Sequence, residues 1–357
     1  MFEVIVVNVL AVFFAFISRY KDFRHGLKIS FILIFIFLAL RYNFGNDYQA
    51  YHNNFLIINN YDSINYFNKS FQLEPGWLFL CRLFKPIGFF GMVMILALFN
   101  CVVYYRFINK YLPPQYYWLA VTIYLFDPSF MLIQASAMRQ SLAIAIFIAS
   151  IPYIYKKDPI RYIIGIGIAW FFHSSALILL PLYFLGYVNW KINKITGAVI
   201  LASFISLYLF GKNLAPYVNQ FIQSNFERYD VYQGGAVIGT GFGIFYFSIF
   251  FILILAYERY QNKETSLLFK IAIVGFMIIP FGLIIQLIGR VGMYLGPSAI
   301  IVYPVILMKI KRPVYKTMFL VFYLFFTSYL FFQFFTSQVY KDAFGNYQTI
   351  FSAPQIN

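Results

Sequence analysis

A basic turn joins two apolar segments in the middle of the chain and constrains the fold more than any other stretch. The first segment ends at Tyr155, the second starts at Tyr162, and the basic residues lie between them in 156–161. Basic loops of membrane proteins are kept on the cytoplasmic side. Arg139, near the start of the first segment, and His173, at the end of the second, therefore both lie towards the opposite face. Ionisable residues inside a bilayer are costly and mark functional sites.

The composition places the chain in a lipid bilayer. It has 357 residues, of which 62% are hydrophobic and 11% are charged, whereas soluble domains carry about 25% charged residues. The net charge of +15 would suggest a nucleic-acid partner in a soluble protein. Here about two-thirds of the 27 Lys and Arg residues fall in loops on the side of the central basic turn, as the positive-inside rule requires. We therefore expect membrane lipid as a partner, and no nucleic acid.

Apolar segments long enough to cross a bilayer recur along the chain. We predict an all-α polytopic membrane protein with about 12 transmembrane helices in one integral membrane domain, 1–357. The N-terminal segment lacks the basic start and cleavage site of a signal peptide, so it is predicted to be retained as a helix. Outward loops are predicted at about 45–86 and 211–240; the first contains a polar loop at 45–74 and a short interfacial helix at 77–84. The predicted spans are approximately 2–18, 29–44, 87–107, 116–132, 133–155, 161–172, 176–190, 195–210, 241–257, 267–288, 292–308 and 317–335.

Polar groups gather at the outward ends of these spans. They are Arg41, Asp47, Glu74, Arg139, His173 and Arg290. Most of them also have a structural explanation, because an arginine can anchor a helix end at the interface, an Asp can form a turn and a Glu can start a helix. Arg139 is the hardest to explain structurally, since its surroundings are apolar.

Arginines on one side of a bilayer suit a phosphate-rich ligand, because guanidinium pairs bidentately with phosphate oxygens. A carboxylate or imidazole beside them can deprotonate a hydroxyl. The sequence has no nucleotide-phosphate loop, no HExxH and no DxD motif, and Cys81 and Cys101 lack metal-ligand spacing. We therefore expect metal-independent chemistry without a cofactor, on a lipid-linked phosphate or pyrophosphate.

Four motifs in the first half of the chain resemble a known family. They are Arg41-Tyr42-Asn43-Phe44-Gly45-Asn46-Asp47-Tyr48 with Tyr51, Glu74-Pro75-Gly76-Trp77, Arg139-Gln140-Ser141-Leu142-Ala143, and Ala169-Trp170-Phe171-Phe172-His173-Ser174-Ser175-Ala176. In this order they are similar to motifs of the EpsG family of Wzy-like exopolysaccharide and O-antigen polymerases. The resemblance covers about residues 1–185, and beyond it Arg290 and Tyr294 echo an R-x-x-x-Y element.

The resemblance implies a multi-pass glycosyltransferase of C-type architecture in the bacterial inner membrane. Such an enzyme joins undecaprenyl-pyrophosphate-linked repeat units, as donor and acceptor, into O-antigen, capsule or exopolysaccharide at the outer face, and a chain-length regulator protein is a candidate partner. A ligase that moves the glycan to another acceptor, and a flippase for lipid-linked oligosaccharides, are the alternatives. A flippase needs a charged cavity that reaches both faces, whereas this polar set lies on one side.

We assign roles to nine residues. Arg139, Glu74 and His173 are the predicted catalytic residues, and the predicted substrate-binding residues are Arg41, Asp47, Tyr51, Gln140, Arg290 and Tyr294. Either Glu74 or His173 can be the base. A carboxylate at the start of a helix is held ionised by the helix dipole, while a neutral imidazole with an intrinsic pKa near 6.5 accepts a proton at neutral pH. We therefore favour His173 as the base, with Glu74 orienting it or holding an arginine.

Overall fold

The computed structural model describes residues 1–60, 73–189, 263–284 and 286–352, together with isolated positions between 198 and 252. This part of the chain is almost entirely helical. Five helical segments within it are long and apolar enough to cross a bilayer: Lys21–Leu40, Gly88–Tyr111, Met138–Tyr155, Gly289–Lys309 and Pro313–Thr336. An all-α membrane protein is thus supported. The number of about 12 spans stays a prediction, because the spans at 195–210 and 241–257 and the loop at 211–240 fall where at most isolated residues are described.

The α-helices of the described residues are numbered in chain order. The first seven are α1 (Phe2–Ile17), α2 (Gly26–Leu40), α3 (Tyr48–Asn60), α4 (Pro75–Leu83), α5 (Gly88–Tyr111), α6 (Tyr117–Phe126) and α7 (Met131–Ser136). The next seven are α8 (Met138–Tyr155), α9 (Pro159–Phe172), α10 (Lys263–Ile284), α11 (Gln286–Leu295), α12 (Ala299–Lys309), α13 (Pro313–Thr336) and α14 (Lys341–Gly345). Segments of 3-10 helix are Lys21–Phe23, Pro114–Tyr116, Ser174–Gly186, Gly296–Ser298 and Ile350–Ser352. Two short antiparallel strands, β1 (Arg41–Tyr42) and β2 (Gln348–Thr349), pair Arg41 with Thr349 and Tyr42 with Gln348.

Residue contacts divide the chain into two compact units. The first contains Met1–Ser150, Ile163–Leu177 and Tyr303–Asn357, and the second contains Ile151–Tyr162 and Ile178–Val302. Seven of the nine predicted site residues belong to the first unit, whereas Arg290 and Tyr294 belong to the second. A single membrane domain over the whole chain stays a prediction.

The first unit is built on close packing of its first two helices. In α1 the buried residues Val4, Asn8, Ala11 and Ala15 form a stripe of small side chains, which lets helices approach closely in a membrane. A Cβ added at Gly26 would collide with the carbonyl oxygen of Phe14. Helix α1 also packs on α6, and α2 packs on α5.

The predicted span at 116–132 is wrong as a continuous helix. Helix α6 ends at Phe126, because Asp127 precedes Pro128 and the residue before a proline disfavours helical geometry. The Asp127 carboxylate accepts a hydrogen bond from the Ser129 backbone N–H at 3.0 Å. Buried Asn8 donates to the Leu125 carbonyl at 3.2 Å and so satisfies one of the carbonyls left without a partner at the helix end. The break is therefore stabilised by polar contacts, as non-helical backbone at membrane depth requires.

The predicted polar loop at 45–74 is also wrong over part of its length. Residues Tyr48–Asn60 form α3, whose buried positions are Tyr48, Tyr51, His52, Phe55 and Ile58. This is the spacing of an amphipathic helix. The following stretch, 61–72, lies outside the described residues. Helix α3 brings Tyr51 to the same hydrophobic cluster as Trp77 and Met138.

Beyond His173 the chain continues as a 3-10 helix rather than an α-helix. It runs over Ser174–Gly186 and contains Pro181. At about 2.0 Å per residue, these 13 residues extend about 26 Å, so a short segment covers much of a bilayer core. The α-helix thus ends at Phe172, between the predicted spans 161–172 and 176–190. The second of these spans has the 3-10 conformation over most of its length.

Candidate active site

Glu74 lies between Arg139 and His173 and contacts both. Its Oε2 forms an ion pair and hydrogen bond with Arg139 Nη1, and its Oε1 lies 3.4 Å from His173 Nδ1. Glu74 is only 5% exposed. Burying a carboxylate requires charged or hydrogen-bonding partners, and residues 65 and 99 positions further along the sequence supply them. Three of the predicted polar residues thus form one connected group.

Helix α4 sets the position of the carboxylate. Glu74 is the N-cap residue with extended backbone, Pro75 follows at the first helical position, and the helix is anchored by the fully buried side chain of Trp77. The Glu74 carboxylate makes no capping hydrogen bond to α4. It points across to Arg139 and His173 instead, so partners on other elements hold it rather than its own helix.

Gly76 allows α4 to approach the end of α9. A Cβ added at Gly76 would lie 2.5 Å from the Phe171 carbonyl oxygen and 2.6 Å from Phe171 Cδ1. Any larger residue would push the two helices apart and separate Glu74 from His173. In the sequence this glycine is part of a motif but has no role of its own.

The end of α9 presents His173 and Ser174 to the carboxylate. The His173 backbone N–H donates to the Ala169 carbonyl at 2.9 Å, which completes the last helical turn. The Ser174 backbone N–H and its hydroxyl both donate to Glu74 Oε1, each at 3.4 Å. The sequence does not reveal this contact of Ser174, because it joins residues 100 positions apart.

Arg139 is the most exposed member of the group. Its side chain is 24% exposed, and its Nε donates to the Tyr51 hydroxyl at 3.5 Å. The contacts with Glu74 and Tyr51 engage Nη1 and Nε, whereas a guanidinium has five N–H donors in a rigid fork. The donors of Nη2 remain to bind an oxyanion at the partly exposed side of the group.

The surroundings keep Glu74 ionised at neutral pH. Burial raises the pKa of its carboxyl, but the contact with His173 and the charge of Arg139 outweigh that effect and lower the pKa to about 2. The reason expected from the sequence, the dipole of α4, is not the main one. Burial raises the pKa of Tyr51, although Arg139 opposes the shift. Glu74 therefore acts as a fixed negative charge and a hydrogen-bond acceptor.

The other predicted residues of the first unit make different contacts from this group. Arg41 is 4% exposed and donates to the backbone carbonyls of Leu38 and, at 3.2 Å, Ala135. It lines a partly open pocket of about 20 Å³, which is room for a water molecule rather than a pyrophosphate. Asp47 is exposed, and its backbone N–H donates to Ser136 Oγ at 3.2 Å. Gln140 is buried one position after Arg139.

Arg290 and Tyr294 lie on α11, in the second unit. Arg290 is half-buried, and Tyr294 is 1% exposed. They belong to a different unit from the Glu74 group, so their place in the site stays a prediction. The described residues also contain no group of three or more His, Cys, Asp or Glu side chains that could hold a metal ion.

Comparison with known proteins agrees with the motifs around this group. The comparisons with curated proteins and with solved structures gave no match. A family model described as the EpsG family matches residues 27–349, a range that includes all nine predicted site residues and extends well beyond the first half, where the motifs lie. The chain therefore belongs to the EpsG family, a family of Wzy-like polymerases.

Proposed function

We propose that this protein is a polysaccharide polymerase that joins undecaprenyl-pyrophosphate-linked repeat units at the outer face of the bacterial inner membrane. The observation that carries the proposal is the connected group Arg139–Glu74–His173, in which a guanidinium and an imidazole contact one buried carboxylate. Family membership supports polymerase activity in general. The undecaprenyl carrier, the orientation of the protein in the membrane and the roles of the individual residues are part of the proposal.

The reaction exchanges one bond to the anomeric carbon for another. A hydroxyl oxygen of the acceptor unit attacks the anomeric carbon of the donor glycan, and the bond from this carbon to the pyrophosphate oxygen breaks. The electron pair leaves with the lipid pyrophosphate, where negative charge develops. Arg139 binds that charge through its remaining N–H donors, because a preorganised cation at the leaving group stabilises the transition state. Arg290 and Tyr294 stay proposed substrate-binding residues of the second unit.

His173 accepts the proton of the attacking hydroxyl. Its Nδ1 faces Glu74, so Nε2 is the atom that takes the proton. The negative charge of Glu74 orients the ring and stabilises the imidazolium that forms, as a carboxylate does in Ser-His-Asp hydrolases. Glu74 itself is a poor base, because its pKa is about 2. Asp47 and Gln140 are proposed to contact the sugars, and Tyr51 to hold Arg139.

Purified protein in detergent or vesicles tests the activity directly. We expect it to convert synthetic undecaprenyl-pyrophosphate-linked units into a ladder of longer glycans. Transfer to a lipid A core acceptor, without lengthening of the lipid-linked chain, would identify a ligase instead. In a deletion strain we expect single repeat units at the cell surface; units retained inside the cell would identify a flippase.

Labelling with a membrane-impermeant thiol reagent tests the orientation. We expect cysteine at the exposed position Asp47 to react in cells with a permeable outer membrane. Cysteine at Lys157, in the basic turn between α8 and α9, should react only after the inner membrane is opened. The reverse pattern contradicts an outward-facing site without affecting the proposed chemistry.

A further inference from the structure

We propose that the C-terminal residues 338–352, the C-terminal strap, position the active site. Phe344 and Tyr347 hold the loop 41–47 against the junction between α7 and α8, and this junction sets the position of Arg139. The effect on turnover rests on the polymerase activity proposed above. The mechanical connection rests on the structure alone and has its own readout.

The strap is hydrogen-bonded to the loop along its length. Strand β2 pairs with β1, which begins the loop. The Gly45 backbone N–H donates to the Ala343 carbonyl at 3.0 Å, and Asn46 Nδ2 donates to the Val339 carbonyl at 3.3 Å. Because the strap contacts several residues along the loop, it fixes the backbone of the loop and not only one side chain.

Aromatic packing anchors the strap to the helices. The Phe344 side chain is 0% exposed, and its ring centroid lies 5.0 Å from that of Phe44 and 4.9 Å from that of Phe334. The Tyr347 ring stacks on Phe37 at 4.3 Å, and its hydroxyl donates to the Phe37 carbonyl at 2.7 Å. The strap therefore bridges the loop, the end of α2 and the end of α13.

The loop has a conformation that needs such support. Asn43 has φ +47° and Gly45 has φ +119°, and a non-glycine residue in the left-handed region is held there by its surroundings. A Cβ at Gly45 would lie 3.0 Å from Ser136 Cα, so the loop is pressed closely on α7. The left-handed backbone at Asn43 is therefore maintained by contacts on both sides of the loop, whereas Gly45 adopts a positive φ without steric cost.

The loop in turn contacts the residues that lead to Arg139. The Asp47 backbone N–H bonds to Ser136, and Arg41 bonds to Ala135. Helix α8 begins at Met138, one residue before Arg139. Directly after the loop, α3 carries Tyr51, which contacts Arg139 from its other side. A shift of the loop therefore moves both the start of α8 and the tyrosine partner.

Substitution of Phe344 tests the connection. We expect Phe344→Ala to lower kcat about tenfold to a hundredfold, the range caused by a displacement of about 1 Å at an active site. The KM for donor and the amount of protein in the membrane should change little. Phe344→Leu, which restores most of the volume, should recover most of the activity. Phe351→Ala, at an 80% exposed position of the same strap, is the matched control and should behave like wild type.

Accessibility of Ser136→Cys gives a readout independent of catalysis. Ser136 is buried beneath the loop at 6% exposure, and we expect the cysteine to be labelled slowly in the otherwise wild-type protein and at least several-fold faster with Phe344→Ala. Cys81 and Cys101 are buried, and the parent without Ser136→Cys measures their background. Tyr347→Phe, which removes only the hydroxyl, is the second variant and serves if Phe344→Ala fails to accumulate. We expect it to increase labelling and to lower kcat, each by less than is expected for Phe344→Ala. Equal labelling and equal kcat in wild type and the tested strap variant would overturn the proposal. If Phe344→Ala speeds the labelling as expected but the wild-type protein shows no polymerase activity, the proposed function is rejected and the mechanical connection stands.

Discussion

Arg139 and Arg41 lie in the same unit, and each belongs to one of the four motifs, yet their environments differ in kind. Arg139 is paired with an ionised carboxylate, contacts a tyrosine hydroxyl and is 24% exposed. Arg41 is 4% exposed, and its bonds go to two backbone carbonyls. Arg41 is therefore a buried cation without a carboxylate partner among the described residues.

The different contacts of Arg139 and Arg41 correspond to two roles that a buried cation can have, one structural and one catalytic. Neutral carbonyl dipoles can hold a guanidinium in place and close a break in the backbone hydrogen bonding, and such a residue stabilises the structure. A carboxylate that also contacts an imidazole links the cation to a group that can move a proton. The contacts therefore favour the predicted catalytic role for Arg139, but a supporting role for Arg41 instead of the substrate-binding role that the sequence analysis predicts.

The largest effect should come from the imidazole. We expect His173→Ala to lower turnover by about 10²–10⁴-fold with donor binding intact, because it removes the proton acceptor. Glu74→Gln should be less severe, since the imidazole stays in place. The exposed His25 provides the control His25→Ala. Turnover of lipid-linked units by purified protein is the measurement, and an inactive Glu74→Gln beside an active His173→Ala would transfer the base role to Glu74.

Replacement of Arg139 by lysine should be nearly as severe. Lysine keeps the charge but loses the bidentate fork, and loss of a strong transition-state donor costs about 3–4 kcal/mol, or 10²–10³-fold in rate. Arg82→Lys, at an exposed position of α4, is the matched control. Near-normal polymer from Arg139→Lys, with normal protein levels, would show that a simple positive charge is enough at this position.

Arg41→Gln tests the supporting role of Arg41. Loss of the guanidinium leaves two buried carbonyls without their donor, which we expect to destabilise the protein by about 1–3 kcal/mol. Turnover of the folded fraction should fall less than tenfold. Thermal unfolding in detergent, with Arg24→Gln at an exposed site as control, measures the first effect. A loss of turnover as large as that of Arg139→Lys, at unchanged stability, would return Arg41 to the substrate site.

Hydropathy and charge predicted the helices that are apolar along their whole length. The first span was predicted at 2–18 and is α1, Phe2–Ile17; the last was predicted at 317–335 and lies within α13, Pro313–Thr336. Helix α3 was missed because asparagines and other polar residues interrupt it, although the spacing of Tyr48, Tyr51 and Phe55 was available as a signal. The 3-10 conformation after His173 was not predictable, since hydropathy does not distinguish i+3 from i+4 hydrogen bonding.

The members of the site were more predictable than their connections. Arg139, Glu74 and His173 were chosen because charged and titratable groups at one membrane face are costly. That Glu74 joins the other two depends on the close approach at Gly76 and on the break at Ser174. The strap is not predictable from hydropathy, because its contacts with the loop are two residues of strand pairing, a few hydrogen bonds and a few aromatic contacts with residues more than 290 positions away in the sequence.

The last prediction concerns pH and tests the charge on Glu74 that distinguishes Arg139 from Arg41. The folded pKa of Glu74 is about 2, below the ordinary value near 4.3. The carboxylate therefore contributes stability that is fully present above pH 4.3 and is lost as the pH falls towards 2, by up to about 3 kcal/mol. We expect unfolding experiments in detergent to show Glu74→Gln clearly less stable than wild type at pH 7, with the difference shrinking between about pH 5 and 3. Asp22→Asn, at an exposed position, is the matched control. A difference between wild type and Glu74→Gln that stays constant over this pH range would mean that Glu74 is not held as a depressed-pKa carboxylate between Arg139 and His173.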